Sequence, residues 1–164
     1  MKKILLLSDS HGYIDKKIIK YFDDIDEVWH AGDIGNIKVC ETILKTKSLK
    51  AVFGNIDNFE IREKFQEDLN FHCEGLKIYI THVGGYPGNY NKRVKKVIEE
   101  TRPNVFICGH SHILKVIYDK KNDLLHMNPG ACGLQGFHKK RTMLKFNIEN
   151  KKITNLNVIE LGGK

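Results

Sequence analysis

The chain has 164 residues and reads as one domain, residues 1–164, with no repeat, linker or second domain. Its 41% hydrophobic and 29% charged residues are those of an ordinary soluble globular protein, and the longest early apolar run, the four residues Ile4 to Leu7, is too short for a signal-peptide core or a membrane span. The formal net charge of +7 is spread through pairs such as Lys16-Lys17, Lys95-Lys96 and Lys151-Lys152, without the aromatic-interleaved basic block of a single-strand binder. Nucleic acid is therefore an alternative partner that the sequence does not indicate. The charge reads as a solvated surface, or as steering of an anionic substrate. Four cysteines, at 40, 73, 108 and 132, form no C-x-x-C pair; this excludes a zinc knuckle and a disulfide framework and fits a reducing cytoplasm.

Ile4-Leu5-Leu6-Leu7 predicts a strand buried on both faces, ending in Ser8-Asp9-Ser10-His11-Gly12. Ile14, Ile18, Ile19 and Phe22 share one helical face. Glu27-Val28-Trp29 predicts the next strand; His30-Ala31-Gly32-Asp33 follows, and a helix starts near Asn36, marked as amphipathic by Val39, Cys40, Ile43 and Leu44. Lys50 to Phe53 predicts a third strand, closing at Gly54-Asn55. A polar cluster after every strand of an alternating strand–helix series predicts a mainly parallel sheet, whose ligands gather outside the carboxyl ends of the strands. Residues 57–67 read as a loop or short helix, and Asn70–Cys73 with Leu76–Thr81 as a hairpin turning at Gly75. After His82 the glycines and proline of residues 84–88 exclude regular structure. Val94, Val97 and Ile98 mark a helix ended by Arg102-Pro103, and Val105 to Cys108 a buried strand closing at Gly109-His110-Ser111-His112. Antiparallel pairs, 116–118 with 124–127 and 143–148 with 153–159, complete the chain. The fold class is α/β, with two sheets packed face to face and helices outside.

Asp9, His11, Asp33, Asn55, His82, His110 and His112 are thus seven metal-competent side chains that follow five predicted strands. Each alone is an ordinary strand-end cap or turn residue. Jointly they predict a metal centre, with Asp33 as the bridge between two ions. Their hard oxygens and borderline nitrogens, without thiolate, suit manganese first, with nickel, iron and zinc as alternatives. In Asp9-x-His11 an extended backbone points both side chains the same way; His110-x-His112 can do the same or give one imidazole to each ion. Asn55 adds a neutral carbonyl oxygen. Two divalent ions against the carboxylates of Asp9 and Asp33 leave a cationic site that suits an anion and acidifies a bridging water toward hydroxide. Ions about 3.5–4 Å apart can hold nucleophile and phosphate for in-line displacement, so phosphate ester hydrolysis is the reaction this arrangement rewards most.

Asp9-Ser10-His11, Gly32-Asp33, Gly54-Asn55, His82 and Gly109-His110-Ser111-His112 resemble, in order, the motifs of the calcineurin-like metallophosphoesterase superfamily, and the short chain resembles its small bacterial and archaeal phosphodiesterases, a branch shared with the retromer scaffold subunit of eukaryotes. The resemblance spans roughly residues 4–112, and Asn128-Pro129-Gly130 extends it. It implies a four-layer α-β-β-α sandwich of two mixed sheets. It further implies one metal on Asp9, His11, Asp33 and His112, a second on Asp33, Asn55, His82 and His110, and catalytic roles for Asp33, Asn55 and His82. Many superfamily members carry a histidine directly after the motif asparagine to protonate the leaving group; this chain has Ile56, which cannot transfer a proton. General acid catalysis is typically worth about 10²–10⁴-fold, so weak activity on poor leaving groups is expected.

The function implied is phosphodiester hydrolysis by a hydroxide bridging two divalent metals, on a small-molecule diester or nucleotide, with no membrane partner and a homo-oligomer left open. The alternatives are a non-catalytic protein-binding scaffold on the same fold, or a phosphomonoesterase or nuclease. Among the remaining residues, His30 reads as packed behind the site, Asp57 as support for the second metal, Asn128 and the 84–88 loop as candidate substrate lining, and His138 as a candidate substrate contact. His72 and His126 read as structural.

Overall fold

The run Ile4–Leu7 lies at the centre of β1 (Lys2–Leu7), and each of its four side chains is 0–1% exposed, as a strand covered on both faces requires. The computed structural model describes residues 1–164. In chain order β1 is followed by α1 (Lys16–Ile19), β2 (Glu27–His30), α2 (Ile37–Leu44), β3 (Ser48–Ala51), α3 (Phe59–Lys64), β4 (Asp68–Cys73), β5 (Leu76–Thr81) and α4 (Lys92–Thr101). The remainder is β6 (Val105–Ile107), β7 (Lys115–Asp119), β8 (Leu124–Asn128), β9 (Lys140–Glu149) and β10 (Lys152–Gly163).

The strands form two five-stranded mixed sheets, ordered β10-β9-β1-β2-β3 and β4-β5-β6-β8-β7. In the first, β1, β2 and β3 are parallel while β9 runs against β1. In the second, β5, β6 and β8 are parallel and the edges β4 and β7 antiparallel. Three separate apolar clusters define the layering. Alternate residues Leu5 and Leu7 of β1 pack with Val39, Cys40 and Ile43 of α2. The intervening Ile4 and Leu6 join Trp29, Ile78, Ile80 and Ile107 between the sheets. Tyr79 and Phe106 meet Val94 and Ile98 of α4 on the far side of the second sheet. Three interfaces make four layers, α-β-β-α. The ends of β1, β2, β3, β5 and β6 carry the polar clusters, so the layering brings residues 9 to 112 to one rim.

Two elements differ from the sequence expectation. The helix expected around Ile14–Phe22 is a single turn, Lys16–Ile19, followed by a tight turn at Phe22–Asp24. The Asp15 side chain caps Ile18 N–H and is held by Arg141 at 2.9 Å, which fixes the start, and Phe22 then turns into the core. The third strand pairs over 48–51 instead of 50–53 because the chain leaves β2 at Val52: its N–H makes the last bond, to the His30 carbonyl at 3.1 Å, while Val52 bridges to Gln66 and Phe53 N–H donates to the Gln66 carbonyl at 3.0 Å. No helix is long and apolar enough to cross a membrane.

Candidate metal centre

The rim is built from backbone held in an uncommon conformation. Asp9, His11, Asp33, His110 and His112 all have φ between 47° and 67°, the left-handed region that costs a non-glycine residue energy and clusters at functional sites. Cross-strand bonds stabilise it: Asp9 N–H donates to the Gly32 carbonyl and His11 N–H to the Asp33 carbonyl, both at 3.0 Å. The segment 9–11 is therefore not extended, and its side chains converge through these left-handed turns. The motif glycines are required by close approach. A Cβ at Gly109 would stand 2.0 Å from Ser8 Oγ, and one at Gly54 would stand 2.1 Å from Asp33 Oδ1.

Six of the seven candidate ligands come together, in two groups. Ligand atoms of Asp9, His11 and His112 lie within 4.8 Å of one another, and those of Asp33, His82 and His110 do the same. His112 Nε2 is 3.1 Å from Asp9 Oδ1, and His82 Nε2 is 3.2 Å from Asp33 Oδ1. Asp33 turns one oxygen to each group, since its Oδ2 is 3.7 Å from His11 Nε2. His110 and His112 divide between the groups. Asn55, the seventh, is exposed on the loop after Gly54, and the N–H of its neighbour Ile56 donates to Asp33 Oδ1 at 3.1 Å.

The donor atoms fit a cation. Asp9 Oδ1, His11 Nε2 and His82 Nε2 are buried without a hydrogen-bond partner. The His82 Nδ1 lies 2.7 Å from the Ala31 carbonyl, which can only accept, so a neutral His82 carries its proton there and turns the lone pair of Nε2 toward carboxylate oxygens. Lone pairs facing carboxylates repel unless a proton or metal ion lies between them. Burial opposes charge on His82, but the Asp33 and Asp9 carboxylates outweigh it and raise its pKa.

Other residues hold these donors in place. Asp9 Oδ2 accepts from Ser8 Oγ at 2.6 Å and His110 N–H at 3.1 Å, leaving Oδ1 for the site. Asp57 accepts the N–H groups of Ile34, Gly35 and Gly54 at 2.7–3.1 Å, tying the loops after Asp33 and before Asn55 together. His30 is fully buried: its Nε2 donates to Ser10 Oγ at 2.9 Å and its Nδ1 accepts from Gly32 N–H at 3.2 Å. Nothing in the sequence marks Arg62 as a holder, and His138 reads there as a candidate substrate contact instead. Arg62 donates to the carbonyls of Asp57, Gly54 and Asn55 from α3, and only the folded loop shows it. His138 touches His112 directly. Its Nε2 is 3.0 Å from the Gly133 carbonyl, so in the neutral ring the proton sits there and Nδ1 accepts from His112 Nδ1 at 3.1 Å. That chain of bonds leaves His112 Nε2 unprotonated toward Asp9, the arrangement a metal ligand needs. His138, a candidate substrate contact by sequence, is here a support for His112.

The sequence profile described as the Calcineurin-like phosphoesterase superfamily domain matches residues 1–151. The chain belongs to this superfamily. A probable metallophosphoesterase of Methanocaldococcus jannaschii is 26% identical over 94% of the chain and 80% of its own length. Two solved structures share the superfamily fold seen here. One, described as a novel archaeal phosphodiesterase, has a TM-score of 0.71 at 24% identity, covering 96% of this chain and 99% of that one. The other, Vps29 of Entamoeba histolytica in complex with zinc, has a TM-score of 0.74 at 13% identity, covering 98% and 99%. As a calcineurin-like phosphoesterase, the chain is a member of a metal-dependent phosphoester hydrolase family.

Proposed function

We propose that this calcineurin-like phosphoesterase is a metal-dependent phosphodiesterase, with Asp9, His11, Asp33 and His112 holding one divalent ion and Asp33, Asn55, His82 and His110 the other. The observation that carries the reading is the convergence of buried, unpartnered Asp9 Oδ1, His11 Nε2 and His82 Nε2 beside an Asp33 that turns one oxygen to each group. When bound, the ions would supply positive charge for the phosphate and lower the pKa of a coordinated water; manganese is the leading candidate. The protein's own contribution is placement. Asp33 is fixed by Ile56 N–H and Asp9 by Ser8 and His110 N–H, so the carboxylates need no reorganisation as the substrate enters. Asn55 is the neutral oxygen donor that faces solvent and can reach a substrate. Diester specificity draws support from the likeness to the archaeal phosphodiesterase. Ile56 is half-exposed and apolar, so no side chain at that position gives the leaving group a proton, and rates should rise steeply as the leaving group becomes more acidic. The four free cysteines agree with a reducing cytoplasm.

A binding protein on the same fold can also hold a cation at these donors, so turnover rather than metal binding separates the two readings. The test compares a bis-aryl phosphate, a mono-aryl phosphate and single-stranded RNA with Mn, Ni, Zn and Mg, alongside Asp33→Ala. The expected result is metal-dependent release from the diester, reduced by more than about 100-fold in Asp33→Ala, since loss of a ligand should exceed loss of its supporting bond. Release by the variant at the parent's rate assigns the activity to another site.

A further inference from the structure

We propose that two unequal chambers beside the metal centre receive the two arms of the diester, and that the larger takes a nucleoside-sized, planar arm with polar edges; this rests on the diesterase reading above. The larger cavity measures about 700 Å³ and is bordered by His110. The smaller measures about 200 Å³ and is walled by Gly54, Asn55 and His82. Val83 belongs to both, so the peptide after His82 is the partition. Sites that enclose drug-sized ligands run to about 300–1,000 Å³, a range that holds the larger chamber and excludes the smaller. A diester with one bulky and one small substituent fits; one with two bulky substituents leaves an arm in solvent.

The larger chamber also shows which bulky arm it suits. No carboxylate lines it. Tyr86, 48% exposed, offers an aromatic face, and the Lys115 ammonium stands 4.5 Å from that ring's centroid. Ser111 Oγ accepts from Asn128 Nδ2 at 3.1 Å and from Ile113 N–H at 3.2 Å, so its single proton remains for a ligand acceptor. His126 completes the wall, 1% exposed, with Nδ1 buried and unpartnered. An aromatic ring with carbonyl edges can take the place of the Lys115 ammonium over Tyr86, stacking on the ring while accepting from the displaced ammonium and from Ser111. An acyl chain would fill the same space and leave both donors unanswered.

Three p-nitrophenyl esters test this, those of methyl phosphate, octyl phosphate and thymidine 5′-phosphate, with the Mn-loaded protein. In each, the oxygen of water adds to phosphorus and the bond to p-nitrophenolate breaks; the remaining monoester is released and the water's proton goes to solvent. The expected kcat/KM for the thymidine ester is about tenfold or more above the methyl and octyl esters. Tyr86→Ala combined with Lys115→Ala should bring the thymidine-to-methyl ratio close to one. Calorimetric titration with thymidine 5′-phosphate gives a readout free of turnover, with affinity for the Mn-loaded protein falling about tenfold in the same double variant. A ratio and an affinity that the double variant leaves unchanged, or an octyl ester that matches the thymidine ester, overturns the proposal while leaving the diesterase reading intact. Release from none of the three esters overturns both.

Discussion

The two halves of the candidate metal centre are not equivalent. Around Asp9, His11 and His112 the carboxylate is fully buried, its second oxygen holds two hydrogen bonds, and His112 is backed by His138 and the Gly133 carbonyl. Around Asp33, His82 and His110 the backing is sparser. His82 is fixed by Ala31, but His110 is exposed, and its ring has an edge contact with His82 and a cavity on its border. A rigid, closed donor set binds a cation tightly, whereas an open one exchanges it and leaves room for substrate. The first half therefore reads as the anchoring position and the second as the working one.

The largest expected effect falls on the frame of the open half. Asp57→Ala strips three backbone N–H groups of a charged acceptor and should destabilise the fold by about 4 kcal/mol, read by urea denaturation; a loss below about 1 kcal/mol would show that the loops hold themselves. Next comes acidity. Burial pulls the pKa of His126, under the open half, and of His30, behind the closed half, down to about 4. A folded pKa below the unfolded value of about 6.5 means that the neutral form stabilises the fold fully above pH 6.5 and that this is lost as pH falls toward 4, at most about 3 kcal/mol for each histidine. Denaturation of metal-free protein across that window should show the decline, and His126→Phe should flatten it; an unchanged slope would remove His126 from the account. Third, His112→Ala should weaken the tighter of two Mn sites by more than about 100-fold, while His110→Ala should weaken chiefly the looser one. The reverse pattern in calorimetry would invert the comparison. Smallest is His138→Ala, expected to cost the tighter site about 10–100-fold with the looser one little changed.

The sequence reading reached the fold because the strands announce themselves twice, as apolar runs and as polar clusters at their ends. Ile4–Leu7 followed by Asp9-x-His11 could belong to little else than a buried strand opening onto a site. Grouping the donors was harder. That His110 and His112 divide between the two groups follows from their left-handed backbone, which spacing alone leaves open. Ser8 and Arg62 act through contacts set by local loop geometry, Ser8 on its neighbour Asp9 and Arg62 reaching back from α3 to three carbonyls, while His138 meets His112 only once two loops distant in the chain are adjacent. The third strand ends earlier than its side chains suggest: Val52 and Phe53 are strand-like, yet after the Val52 N–H bond to the His30 carbonyl the backbone turns to Gln66, outside that sheet.

Gly109-His110-Ser111-His112 lends an imidazole to each side, Gly109 leaves no room for a larger residue against Ser8, and Ser111 borders the larger chamber. One tetrapeptide would thus serve both cations of the proposed centre and the substrate. A deletion, proteolytic nick or oxidised ring there would cripple the whole apparatus in one stroke, whereas damage to the 84–88 loop would change only what is admitted.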